Sequence, residues 1–158
     1  MKTTTVRIAA PVRVTFDYVA EPRNRPRWQL SLRRVDVLTD GPTAVGTRWL
    51  DRTMVGAAPC LEITAMTSPS ATASGASVGV WSEEGRWRGL TATLALTFVP
   101  VAAEPSATDV LVRLDFAGTG AWKLPATLLR VLALPAVRAD LRRAARIIEA
   151  GGATTGLR

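Results

Sequence analysis

WKLPATLLRVLALPAVRADLRRAARIIEA, residues 122–150, decides the fold. Leu124, Leu128, Val131, Leu132, Leu134, Val137, Leu141, Ala144, Ala145 and Ile148 recur mostly three or four residues apart, the period of one helix face. Arg138, Arg142 and Arg146 follow at i, i+4, i+8 on a second, wet face, near the end where the helix dipole favours cations. Gly151 and Gly152 offer a stop, which makes residues 151–158 a flexible tail behind one domain over 1–150. Pro135 removes a backbone donor and crowds the turn before it. The helix should be irregular there, or be two helices meeting at Leu134-Pro135. A helix this long needs one large apolar surface to lie against. A curved antiparallel sheet provides it and often leaves a cavity between the two.

Working back toward the N-terminus, the chain supplies such a sheet. Thr108 to Phe116 alternates, with Val110, Val112, Leu114 and Phe116 inward, and Trp87 to Val99 alternates with Leu90, Ala92, Leu94, Leu96 and Phe98 on one side. Glu83-Glu84-Gly85 reads as a turn after a poorly patterned strand, Ala76 to Ser82. Residues 60–66 form a strand with Leu61, Ile63 and Ala65 on one face, preceded by a strand from Gly46 to about Val55 and another around Val35 and Val37. Thr3 to Ile8 opens the sheet. Pro11 then suits a helix start, and Val12, Phe16, Val19 and Ala20 recur at helical spacing. Residues 22–28, PRNRPRW, form a loop or a second, single-turn helix. Hairpin-length connections imply antiparallel pairing. The expected class is therefore α+β: seven antiparallel strands wrapped round a C-terminal helix, with two short helices after the first strand.

Composition narrows the function. The 158 residues, 47% hydrophobic, suffice for one core. Met1 to Thr5 is polar and Arg7 and Arg13 break the first apolar residues, so no cleaved leader is expected. The apolar region around 124–137 carries Arg130 and two prolines, too interrupted for a membrane span. Cys60 is the only cysteine, which points to a reducing cytoplasm. There is no histidine, which removes Ser-His and Cys-His nucleophiles and any ordinary zinc site; neither metal nor cofactor is expected. The net charge of +7 and pI near 11.1 come almost wholly from arginine in an alanine-rich chain. The arginines do not interleave with aromatics in a nucleic-acid motif, so no nucleic-acid partner is expected.

The element order is that of the helix-grip fold. APVRVTFDYVAEPRNRPRW (10–28), VGTRW (45–49), LTFVP (96–100) and ADLRRAARIIEA (139–150) together resemble the START-like superfamily, in particular its polyketide cyclase/dehydrase and lipid-transport branch. The resemblance implies a deep, mostly apolar cavity between sheet and last helix, and roles in binding lipids, polyketides or other hydrophobic molecules. In that branch's aromatase/cyclases the tryptophan closing the second short helix lines the cavity, and Trp28 matches it. Their fourth strand carries a tryptophan and polar groups inward, where Leu61, Ile63 and Ala65 stand here. A cavity arginine on their fifth strand falls near Trp81.

The expected ligand-binding set is Trp28, Leu61, Ile63, Trp81, Leu94, Leu96, Leu114, Leu128 and Leu132. Candidates for acid/base work are Asp51, Arg52, Glu83 and Tyr18. Asp51 shares a face with Trp49. If that face is inner, Asp51 is a carboxylate in an apolar pocket, suited to proton transfer. The other register puts Leu50 and Met54 inside and Asp51 in water beside Arg52, and this solvated register is the expectation. Glu83 shares parity with Trp81 and would sit at a cavity end if it is not a turn residue. Tyr18 is placed at a helix edge. Arg23, Arg25 and Arg27 form a solvated basic loop that could meet an acidic carrier protein or an anionic headgroup. Three functions follow: non-covalent binding of a hydrophobic small molecule, a cofactor-free cyclase, dehydratase or isomerase, and an adaptor or membrane-surface module using its arginines.

Overall fold

A computed structural model describes residues 2–72 and 75–155. Strand β1 (Lys2–Ile8) is followed by helix α1 (Val12–Val19), a 3-10 turn (Pro22–Asn24) and the single-turn helix α2 (Arg25–Trp28). Then come β2 (Leu32–Val37), β3 (Arg48–Thr53), β4 (Cys60–Thr67), a small hairpin of β5 (Ala71–Thr72) and β6 (Gly75–Ala76), β7 (Gly79–Trp87), β8 (Leu90–Val101), β9 (Glu104–Gly118) and, after a 3-10 turn, helix α3 (Lys123–Thr155). The seven long strands pair antiparallel in the order β1-β9-β8-β7-β4-β3-β2. This is the helix-grip architecture that the spacing implies.

The period of two decides which side chains make the core. Trp81, Leu94, Leu96, Phe98, Val110, Val112 and Leu114 all point to the helix side and are buried. Phe16 of α1 closes one end of that layer edge-to-face on Phe98, with ring centroids 5.2 Å apart.

Two strand expectations are corrected. Glu83-Glu84-Gly85 is not a turn but the middle of β7, with Trp81, Glu83 and Gly85 inward. The turn comes at Arg88-Gly89, between the paired residues Trp87 and Leu90. Arg88 there takes a left-handed φ of 54°, and Gly89 has no room for a side chain against Trp122. The β3–β4 register is the one that buries Trp49 and Asp51 and leaves Met54 in solvent.

Helix α3 is continuous through Pro135, not two helices, and runs past Gly151 and Gly152 to Thr155. Once a helix is docked, two glycines cost about 1 kcal/mol each and do not by themselves end it. Residues 156–158 of the expected tail lie outside the described residues. The apolar face is corrected more sharply. Leu141, Ala144, Ala145 and Ile148 are buried, whereas Leu124, Leu128 and Leu132 are exposed, Leu128 by 60% and Leu132 by 58%. At 100° per residue the two sets lie roughly 150° apart round the axis, so no single face holds both. The sheet takes the C-terminal set, together with Ala126. Arg138, Arg142 and Arg146 are exposed, as expected. No helix among the described residues is long and apolar enough to cross a membrane.

The asymmetry is measurable by chemical denaturation. Leu141→Ala should lower stability by about 2–5 kcal/mol, the usual range for a buried leucine, while Leu128→Gln should stay within about 0.5 kcal/mol.

Candidate functional site

The two prolines of PRNRPRW start the 3-10 turn and α2 in succession. Glu21 caps the first turn, its carboxylate accepting from the Arg23 N–H. In α2 the residues three apart share a face, so Arg25 and Trp28 both enter the core while Arg23 and Arg27 stay in solvent. The basic loop is thereby divided. Arg23 pairs with Glu21 at 3.0 Å, the Arg27 carbonyl accepts from Arg143 Nε, and Arg25 is only 3% exposed. Arg25 is therefore withdrawn from any partner at the surface.

Its guanidinium is held by two carboxylates. Nη1 donates to Glu83 Oε2 at 2.8 Å and Nη2 to Asp51 Oδ2 at 2.9 Å, with a longer contact from Nη2 to Glu83 Oε1. Trp49 Nε1 donates to the other oxygen of Asp51 at 3.0 Å, and the guanidinium carbon stands 5.3 Å from the Trp49 ring centroid. Asp51 and Glu83 are buried with their partner. Burial works against the charged guanidinium, but the two carboxylates more than offset it and raise its pKa. Glu83 is pushed up to about 7, mainly because burial penalises the carboxylate, with the charge of Asp51 adding to it and Arg25 opposing. A proton can therefore join or leave this cluster near neutrality. Among the described residues no three potential ligands gather as a metal site.

The other candidates lie elsewhere. Arg52 is on the outer side of β3, paired with Asp36 at 2.7 Å. Tyr18 is half-buried, and its hydroxyl has no protein partner and a pKa raised by burial. Trp28, Trp81, Ile63, Leu94, Leu96 and Leu114 are packed within the core. They do not face the apolar void that remains. That void, of about 180 Å³, lies toward the β7–β8 turn. Its sheet wall is Leu61, Gly85, Ala92 and Phe116, its rim Pro59, Trp87 and Leu90, and α3 contributes Leu129. Leu61 alone of the expected ligand-binding set lines it. Leu128 and Leu132 are on the far side of the helix.

The position of the void follows from residue size. Gly85 stands opposite Ala92 on one side and Leu61 on the other, so the sheet is thinnest there. Trp28, Trp49 and Trp81 fill the space further in. Glu83 is the next inward residue of β7 after Gly85, and the Asp51 N–H donates to the Pro59 carbonyl at 3.1 Å. The charged cluster thus forms the layer immediately behind the void.

No family model matches the chain, and no curated protein matches it. Solved structures do. A START superfamily protein from Mycobacterium smegmatis shares 15% identity at TM-score 0.66, covering 94% of this chain and 96% of its own. A hypothetical protein from Helicobacter pylori shares 12% at TM-score 0.68, over 92% and 85%. The Zhui aromatase/cyclase from Streptomyces sp. R1128 shares 15% at TM-score 0.64, over 94% and 92%. At such identities the likeness shows architecture. The chain has the START-like helix-grip fold.

Two variants separate the roles within the cluster. Arg25→Met leaves two buried carboxylates without their cation and should destabilise by about 3–5 kcal/mol. Glu83→Gln should cost much less. It should also remove a pH dependence. From pH 4.5 to about 7 the folded chain keeps a proton on Glu83 that the unfolded chain has released. Its stabilising contribution is full below 4.5 and lost as pH rises through 7. Urea titrations at pH 5, 6, 7 and 8 should show that decline in the parent and not in Glu83→Gln.

Proposed function

We propose that the protein, acting as one unit over residues 1–150, binds a small hydrophobic molecule in the void between the β7–β8 end of the sheet and α3. The observation that carries this reading is a wall with no polar group among the described residues. Such a space gives up little hydration when filled and gains dispersion contacts throughout. Its size sets the occupant. Drug-sized ligands occupy about 300–1,000 Å³, whereas an apolar cavity of about 150 Å³ takes benzene. A single aromatic ring or a short acyl chain fits, which is the terminal portion of a polyketide-like or lipid-like molecule and not a flat polycycle. The lone cysteine favours a reducing cytoplasm as its setting.

A second reading rests on Glu83. A carboxyl group that titrates near 7 and lies directly behind an apolar pocket has the pKa a proton donor or acceptor needs at neutral pH. A cofactor-free cyclase, dehydratase or isomerase would use it, with Arg25 holding the charge that develops. The aromatase/cyclase among the structural neighbours supports this reading only through its fold.

Benzene and indole titrations followed by methyl NMR test the first reading. Saturable shifts should appear at Leu61, Leu90 and Leu129 with a stoichiometry of about one. Ala92→Phe, which fills the space from the sheet side, should abolish them while the protein remains folded. Shifts that persist in Ala92→Phe, or that never saturate, overturn it.

A further inference from the structure

A second surface, on the outer edge of the sheet, has a different chemistry. An open groove of about 550 Å³ beside β2 and β3 is lined by Arg33, Arg34, Arg52, Thr53, Gly56 and Ala57. Two of the three guanidiniums there share one carboxylate. Arg34 Nε reaches Asp36 Oδ1 at 2.9 Å and Arg52 Nε reaches Asp36 Oδ2 at 2.7 Å. Arg33 makes no ion pair with any described residue. The groove therefore keeps a surplus of positive charge, on a chain whose net charge is already +7.

Between Thr53 and Gly56 the β3–β4 hairpin turns through Met54 and Val55. Gly56 takes a φ of 84° and its N–H donates to the Thr53 carbonyl at 3.2 Å, which makes the turn tight. Met54 is 63% and Val55 89% exposed. Leu30, also exposed, is brought alongside, because the Met54 N–H donates to the carbonyl of Ser31 at 2.8 Å. Three large apolar side chains thus project beside a groove with unneutralised arginines. A valine 89% exposed at a hairpin tip is not half of an internal packing pair.

We infer that this edge docks on an anionic membrane surface, with Leu30, Met54 and Val55 entering the headgroup–acyl boundary and Arg33, Arg34 and Arg52 meeting lipid phosphates. A bilayer interface satisfies both features at once. It moulds round a protruding apolar tip, and a juxtaposed arginine gains attraction to the negative surface potential. The site replaces the expected headgroup contact at Arg23, Arg25 and Arg27, of which Arg25 is buried and Arg23 is paired. It does not rest on the pocket's occupant.

The test is co-sedimentation of the full chain with phosphatidylcholine vesicles containing, or lacking, phosphatidylglycerol. Binding should need the anionic lipid and fall steeply as salt is raised from about 0.1 M, where the Debye length is about 10 Å, to about 1 M, where it is about 3 Å. Val55→Asp should weaken it about tenfold or more, the loss of a buried valine and more, and Arg33→Gln about fivefold, a typical share for one surface arginine. Both positions are exposed, so melting temperature and benzene binding should be unchanged. Ala92→Phe should dock like the parent even if the pocket proves empty. Equal binding to neutral and anionic vesicles overturns the inference, as does full binding by Val55→Asp. Competition by millimolar inorganic phosphate without loss in Val55→Asp would assign the groove to a soluble anion instead. Retention on a poly-glutamate column with no vesicle binding would assign it to an acidic protein.

Discussion

Everything about the interior of this fold is conditioned by one buried guanidinium. Moving Arg25 out of water carries a desolvation penalty of several kcal/mol, which only close, well-oriented anions offset. Asp51 and Glu83 supply them from β3 and β7, the two strands flanking β4. The single-turn helix is thus fastened to the sheet by directional contacts, where four residues alone could not hold a helix. Such a cluster adds little net stability compared with well-packed apolar side chains. What it does fix is register. A slip of one residue in β3 or β7 would turn its carboxylate to the outside and leave the arginine without a partner.

The same cluster explains why the space inside is small. The tryptophans at 28, 49 and 81 are buried in the same core, Trp49 directly against the cluster, and their bulk fills what could have been a long cavity. Room survives where the sheet runs out of large side chains, at Gly85 and Ala92. Giving Gly85 a side chain would press on Leu61, since a Cβ there would stand 3.3 Å from Leu61 Cγ. The polar and apolar parts of the site are neighbours for this reason. One ends where the bulky residues end, and the other begins there.

Periodicity read β8, β9 and the order of elements along the chain well, because alternation in those two strands is strict, but it placed a turn in the middle of β7. It read α3 as a helix but misassigned Leu124, Leu128 and Leu132 to its buried side, since residues three or four apart drift round the axis unless the sum of steps is followed. The cluster was legible in pieces. Trp49 and Asp51 share a face, Glu83 shares parity with Trp81, and Arg25 precedes Trp28 by three, so fixing any one aromatic inward places its charged neighbour inward too. What hid it was the habit of charged residues to lie outside, which favours solvent for each of the three taken singly. Pairing across 26 and 58 residues of chain leaves no local pattern. The void was hidden for the opposite reason, being set by what Gly85 and Ala92 lack.

The uneven anchoring of α3 has a kinetic meaning. Its C-terminal half is riveted by Leu141, Ala144, Ala145 and Ile148, whereas the half that carries Leu129 over the void turns leucines to solvent on its other side. Segments with few buried contacts open at a fraction of the global free energy. On the binding reading proposed above, an occupant would enter and leave through partial detachment of this one end, a motion that would leave the charged cluster and its tryptophans in place. Residence time of such an occupant and lifetime of the fold would then be separate quantities, governed by opposite ends of one helix.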